Sequence, residues 1–224
     1  MQLDPDDIED FIDRALEEDI GRGDLTTNIT IPADAVFQAS MVAREEIVVC
    51  GIDIAMQTFE MMVDDFEGVK KVEDGAKVAK GTILATVSGN ARSILAAERT
   101  ALNILQHLSG ISTEVRKYVE AVEGTPATMI DTRKTIPTLR NLAKYASFTG
   151  GARNHRIRLD DGVLIKDNHI AAAGSLTATV ERAQRATPAL TVIEVECDTL
   201  EQVAEAAASK VDMNLFAEQD LPES

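Results

Sequence analysis

Apolar residues first recur at helical spacing. Ile8, Phe11, Ile12 and Leu16 share one face among acidic neighbours, which predicts a helix over 5–19. Asp and Glu crowd its first turn, where they complement the helix dipole. "GRGDLTT" interrupts the pattern. The next stretch, "AVFQASMVAREEIVVCG", alternates loosely and ends in β-branched residues, so it predicts one or two strands. "IDIAMQTFEMMVDDF" returns to a helical period. From Val69 to Leu95 short apolar pieces are punctuated by "EDGAKV", "AKGTIL" and "SGNAR", the pattern of hairpins in a small sheet.

"SILAAERTALNILQHLSG" predicts a further helix, with Ser93 as N-cap and Gly110 as stop. Leu95, Leu102 and Leu105 form its apolar stripe, and Arg99 lies beside them. Two readings of Arg99 stand: it snorkels or pairs with Glu98, or it crosses a subunit interface into another chain's site. Strand and helix signals then alternate. "ATMID" (127–131), "GVLIKD" (162–167), "LTVIEVEC" (190–197) and "VDMNLF" predict strands. "PTLRNLAKYASF", "LTATVERAQRA" and "LEQVAEAAAS" predict helices between them. Such alternation implies parallel βα units, hence an α/β barrel or an open doubly wound sheet. The Walker loop and the G-x-G-x-x-G of nucleotide-binding folds are missing.

Composition narrows this picture only moderately. A 45% hydrophobic and 27% charged chain of 224 residues is ordinary globular material, with no apolar run able to span a bilayer. The acidic N-terminus lacks the order of a signal peptide, so a cytoplasmic protein is expected. Cys50 and Cys197 read as reduced core thiols. Charge changes the picture more. Twenty-two Lys+Arg against 38 Asp+Glu give a net −16, which argues against a nucleic-acid partner. Yet Thr132–Lys166 holds eight of those cations and only two acids, Asp160 and Asp161. A local site for a small anion is the reading compatible with both facts.

In βα proteins ligands sit beyond the carboxyl ends of the strands. Asp131, Arg133 and Lys134 follow "ATMI"; Lys166, Asp167, Asn168 and His169 follow "GVLI"; Glu194 and Glu196 lie in "IEVEC". Arg140 and Lys144, four apart on a helix, read as a solvated face or as internally paired. "RNHR" places two guanidiniums about His155, and arginine forks suit carboxylates and phosphates. Glu194 and Glu196 are read as facing opposite sides of their strand. Either would hold Mg²⁺ or sugar hydroxyls, or pair with a nearby cation.

The motifs "AAERTALNILQHLSGIST", "DTRKTIPTLRNLAKYA", "GGARNHRIRLDDGVLIKDNH" and "IEVEC" resemble, in order and spacing, the quinolinate phosphoribosyltransferases, over about residues 8–213. The resemblance implies an N-terminal α/β sandwich (1–108), like the hammerhead of biotinyl and lipoyl carriers but with no attachment lysine in "SGNAR". It implies an open, incomplete α/β barrel (109–224) after it. It implies transfer of phosphoribose from phosphoribosyl pyrophosphate to quinolinate, with loss of pyrophosphate and CO₂, to give nicotinate mononucleotide for NAD synthesis. By the same resemblance Arg133, Lys134, His155 and Arg156 bind quinolinate, joined by Arg99 from the partner of a homodimer or higher oligomer. Lys166 would sit between the substrates. Glu196 would hold the ribose hydroxyls directly or through Mg²⁺, and Lys134, Lys166 and Glu196 would be the catalytic set. Two departures stand out: "PTLR" at 137–140 where the family has "PGLR", and "VDMNLFAEQDLPES", which puts Ala217 where the family has an acid and ends before its phosphate loop. From these a shortened chain is expected, with the quinolinate half-site intact and the phosphoribosyl half-site damaged. The alternatives are an inactive anion-binding scaffold and a paralogue acting on another pyridine.

Overall fold

The computed structural model describes residues 1–216; Ala217 lies outside the described residues. The chain divides into two compact units, Met1–His155 and a second beginning at Arg156.

In the first unit, α1 (Pro5–Ile20) begins where Asp4 accepts the Asp6 amide and Pro5 fills the first turn, and it buries Ile8, Ile12 and Leu16. The "GRGDLTT" break holds a helix of its own, α2 (Leu25–Thr30). Asp24 caps it, accepting from the Thr27 amide at 2.9 Å and from the Thr27 hydroxyl. Three antiparallel strands follow in the order β1 (Val36–Val42), β5 (Ile83–Asn90), β3 (Glu67–Lys70). A separate pair joins β2 (Ile47–Val48) to β4 (Lys77–Val78). Helix α3 (Ile52–Met62) has no cap from its own side chains. The distant Asp74 carboxylate accepts the Gly51 and Ile52 amides instead, at 2.8 and 3.0 Å, and also the Tyr145 hydroxyl at 2.8 Å. Thus a single carboxylate ties a loop, a helix N-terminus and a later helix together.

Helix α4 runs unbroken from Ala91 to Ala121, which corrects both expected ends. The cap is Asn90, whose Oδ1 accepts the Arg92 and Ser93 amides at 3.0 and 3.2 Å. "SGNAR" is therefore a strand-to-helix junction and not a hairpin turn. Gly110 lies within the helix, because contacts with α3 and with α5 (Arg140–Gly150) outweigh a glycine cost of about 1 kcal/mol. The fully buried stripe is Ile94, Ala97, Ala101, Ile104, Leu105 and Leu108, while Leu95 and Leu102 sit at its edge. Helix α5 lies close on α4. The Ser112 hydroxyl donates to Ala146 O at 2.7 Å, the Arg116 Nε to Gly150 O at 2.7 Å, and a Cβ at Gly150 would meet Ser112 O at 2.8 Å.

The second unit carries the βα alternation. Strands β6 (Val163–Ile165), β7 (Ile193–Cys197) and β8 (Met213–Phe216) form a parallel sheet in that order. They are connected by α6 (Asp167–Ala173), α7 (Leu176–Ala186) and α8 (Leu200–Ala208). Its core gathers Ile165, Leu176, Val180, Ile193, Val195, Cys197 and Ala206. The expected strand over 127–131 is reduced to one parallel bridge, Ile130 to Arg153.

Candidate active site

Arg133, Lys134 and His155 stand on two short segments of the first unit held together by one acid. Asp131 is 8% exposed and Lys144 1%, and they form an ion pair of 2.5 Å. Asp131 Oδ1 also accepts the His155 amide at 2.8 Å, and Oδ2 accepts Asn154 Nδ2 at 2.7 Å. Lys144 Nζ gives a second hydrogen bond to His155 O at 2.9 Å, and Asn154 Nδ2 a second to Lys144 O at 2.9 Å. The residues just before Arg133 and Lys134 are thereby fixed beside His155. Lys144 is paired, as one of its two readings allowed, but buried; its helix face is not solvated there.

Arg133 and Lys134, just beyond Asp131, have no ion-pair partner among the described residues. Lys134 is exposed, and its amide donates to Thr132 Oγ1 at 3.1 Å. Arg133 Nε is buried with no hydrogen-bond acceptor among the described residues. A cavity of about 390 Å³ lies against this segment, walled by Ile111, Met129, Ile136 and Leu139 with Lys134 at one side. The segment closes in a turn in which Ile136 O accepts the Leu139 amide at 3.2 Å and Thr138 takes φ +71°. Pro137 then a positive φ is the pattern of a type II turn, whose third residue is ordinarily glycine. The change from "PGLR" to "PTLR" therefore falls on a position that requires the left-handed conformation. Arg99 is exposed on α4, with no hydrogen bond or ion pair among the described residues, so pairing with Glu98 does not occur.

In the second unit Lys166 follows β6 and Glu196 nears the end of β7, and strand register sets them side by side, since Ile165 pairs with Val195. Lys166 Nζ lies 2.5 Å from Glu196 Oε2, the side chains being 42% and 25% exposed. His169 Nδ1 accepts the Lys166 amide at 2.9 Å, which fixes the start of α6. Arg156 is tied to the start of β6, its Nη1 donating to Gly162 O at 3.0 Å. Glu194 and Glu196 share one face of β7, correcting the expectation of opposite sides. Residues two apart in a strand point the same way, and the opposite face carries the buried Ile193, Val195 and Cys197. Both thiols are free and buried. Burial pushes Cys50 up to about 11 and raises Cys197 as well, so neither is a nucleophile at neutral pH.

Family models match nearly the whole chain: quinolinate phosphoribosyl transferase, N-terminal domain, over residues 24–109, and its C-terminal domain over 111–220. The chain belongs to the quinolinate phosphoribosyl transferase family. It is 46% identical over 214 residues to the carboxylating nicotinate-nucleotide pyrophosphorylase of Mycobacterium leprae, an alignment covering 94% of this chain and 75% of that one. Among solved structures, NadC from Streptococcus pyogenes superposes with a TM-score of 0.93 at 36% identity, covering 99% of this chain and 78% of that one. The nicotinate-nucleotide pyrophosphorylase from Francisella tularensis gives 0.91 at 35% identity over 98% and 77%. Sequence reasoning had Arg99, Arg133, Lys134, His155, Arg156, Lys166 and Glu196 as candidates. It missed the organising role of Asp131, Lys144 and Asn154. The available signal was an acid directly after a strand pattern and a lysine on the inner side of the next helix.

Proposed function

We infer that the protein transfers phosphoribose from phosphoribosyl pyrophosphate to quinolinate with decarboxylation, giving nicotinate mononucleotide, pyrophosphate and CO₂ in NAD biosynthesis. The observation that carries the reading is the segment of Arg133 and Lys134, anchored beside His155 through Asp131, in a chain of this family. Arg133, Lys134, His155 and Arg156 bind the two carboxylates of quinolinate. Arg99 completes that site from a second copy in a homodimer or higher oligomer; its exposure and its lack of a side-chain partner among the described residues support this. The pyridine nitrogen attacks the anomeric carbon as the bond to pyrophosphate breaks, through an oxocarbenium-like state. Lys134 and Lys166 orient and neutralise the reactants, and Glu196 holds the ribose hydroxyls. Carbon dioxide then leaves from the carboxylate beside the nitrogen. The pyridinium ring holds the electron pair until a proton replaces it.

Among the described residues no group of three His, Cys, Asp or Glu could hold a metal ion. The Mg²⁺ that accompanies phosphoribosyl pyrophosphate would be held chiefly by the donor's phosphates, with Glu196 as its candidate protein ligand. Bound there it would neutralise charge on the leaving pyrophosphate. Among the described residues no helix is long and apolar enough to cross a membrane, and two free thiols support a cytoplasmic location. The deciding experiment measures pyrophosphate release from phosphoribosyl pyrophosphate with Mg²⁺, with and without quinolinate, and with nicotinate as a monocarboxylate control. Release that depends on quinolinate alone is expected. Release with nicotinate would point to another pyridine substrate. Quinolinate binding by the folded chain without release would make it an anion-binding scaffold.

A further inference from the structure

We propose that the Asp131–Lys144 pair is a wedge that ends one strand pairing early and so sets the gap between Arg133/Lys134 and His155. In a parallel ladder, a residue on one strand bonds through both its N–H and its C=O to two residues on the neighbour, and the pattern repeats two residues on. The first repeat is present: the Arg153 amide donates to Met129 O at 2.8 Å, and the Asp131 amide to Arg153 O at 3.0 Å. The next would send the His155 amide to the Asp131 carbonyl and the Arg133 amide to the His155 carbonyl. Both of those His155 groups are instead taken by side chains, its N–H by the Asp131 carboxylate at 2.8 Å and its C=O by Lys144 Nζ at 2.9 Å. The pair replaces two ladder bonds with two side-chain bonds, and Asn154 braces it from Asp131 Oδ2 to Lys144 O.

The consequence is geometric. By the register of the Ile130–Arg153 bridge, continued pairing would set Thr132 opposite His155 and turn the Arg133 side chain to the other face, where it could not share a dicarboxylate with His155. The wedge leaves the Arg133 backbone out of the ladder while keeping the His155 backbone rigid. A buried ion pair gives little net stability, because desolvation offsets the attraction, so its use here is placement. Asp131 and Lys144 are on this account positioning residues, acting through Arg133, Lys134 and His155. The inference rests on the reading of those three as quinolinate ligands.

Two double variants test it. Asp131→Leu with Lys144→Met removes the wedge while filling the space, and such apolar replacements of buried pairs generally fold. Asp131→Asn with Lys144→Gln removes the charges but keeps an acceptor for the His155 amide and a donor for its carbonyl. Quinolinate affinity by calorimetry, and both KM values, are compared with the parent. The apolar pair is expected to lose at least about tenfold in quinolinate affinity, with the KM for phosphoribosyl pyrophosphate unchanged and the circular dichroism of the parent. The amide pair is expected to stay within about threefold. Parental quinolinate affinity in the folded apolar pair would overturn the wedge, as would equal losses in the two variants. If the apolar pair does not fold, Asp131→Glu reads the same spacing through one added methylene: weaker quinolinate binding at retained melting temperature supports the wedge, and parental binding overturns it. A parent that binds no quinolinate would sink the functional reading instead. The wedge would then be decided by a crystal structure of the apolar pair, in which closure to ladder pairing of Thr132 with His155 supports it and an unchanged gap refutes it.

Discussion

Replacing Thr138 with glycine should stabilise the protein, against the usual direction for a Thr→Gly change. Thr138 sits at φ +71°, one residue after Pro137 and inside a turn closed by the 3.2 Å bond from the Leu139 amide to Ile136 O. A left-handed conformation costs an L-residue about 1–2 kcal/mol, and a β-branched one falls at the upper end. Glycine removes that cost but adds about 0.5–1 kcal/mol of backbone entropy to the unfolded chain. Thr138 is exposed, so little packing is lost with its side chain. The net is a gain of about 1 kcal/mol, or about 2–4 °C in melting temperature at this chain length. Urea unfolding followed by circular dichroism measures the total. Hydrogen exchange at the Leu139 amide, the donor that closes the turn, measures the effect locally and should slow. Thr138→Ala is the control: it keeps the Cβ and should recover only the small part due to branching. A Thr138→Gly variant no more stable than the parent, with Leu139 exchange unchanged, would show that the left-handed turn stores no strain.

Two further outcomes follow from the first unit. Asp74→Ala strands the Gly51 and Ile52 amides and the Tyr145 hydroxyl together and should cost about 2–4 kcal/mol, whereas Tyr145→Phe, which removes one of the three bonds, should cost about 1 kcal/mol; equal costs in urea unfolding would mean that Asp74 matters only through the tyrosine. Cys50 has a folded pKa of about 11 against an ordinary 9.0, raised chiefly by burial. The thiol is protonated in both states below pH 9, so its stability contribution is complete there and is lost as pH rises from 9 towards 11, by about 3 kcal/mol at most. Cys50→Ala should flatten that alkaline decline, and an unchanged slope would exclude the thiol as its source. Tyr145, also raised by burial and by its bond to Asp74, destabilises in the same direction and leaves a residual slope in the variant.

Much of the chain was legible where local chemistry decides the outcome. Helix α1 follows from the spacing of Ile8, Ile12 and Leu16 and the acids of its first turn, and the βα alternation after residue 160 follows from short apolar runs alternating with helical patterns; the caps at Asp4, Ser175 and Thr199 are seen in the structure. The ends of α4 were not legible, because Asn90 and Ser93 are both acceptable caps by sequence. The pairing of β1 with β5, which runs Val36 against Asn90, settles that the strand continues to Asn90. Gly110 reads as a stop until two other helices are known to lie against the segment that contains it.

The sequence by itself determined the charge contrast, the motifs of the family and the residues able to meet a dicarboxylate, because residue type and spacing are enough to state what a side chain can bind. Only the tertiary structure decided which cations are spent internally and which are left open. Lys144 and Lys134 are equally basic on paper. One is drawn into a buried pair because α5 carries it to Asp131, next to the bridge between Ile130 and Arg153, and the other stands exposed on the segment after Asp131. The cost of burying a charged or polar group depends on the partners that the fold brings within hydrogen-bonding distance, and those partners are 13 residues away for the Lys144 ammonium and 71 for the Tyr145 hydroxyl.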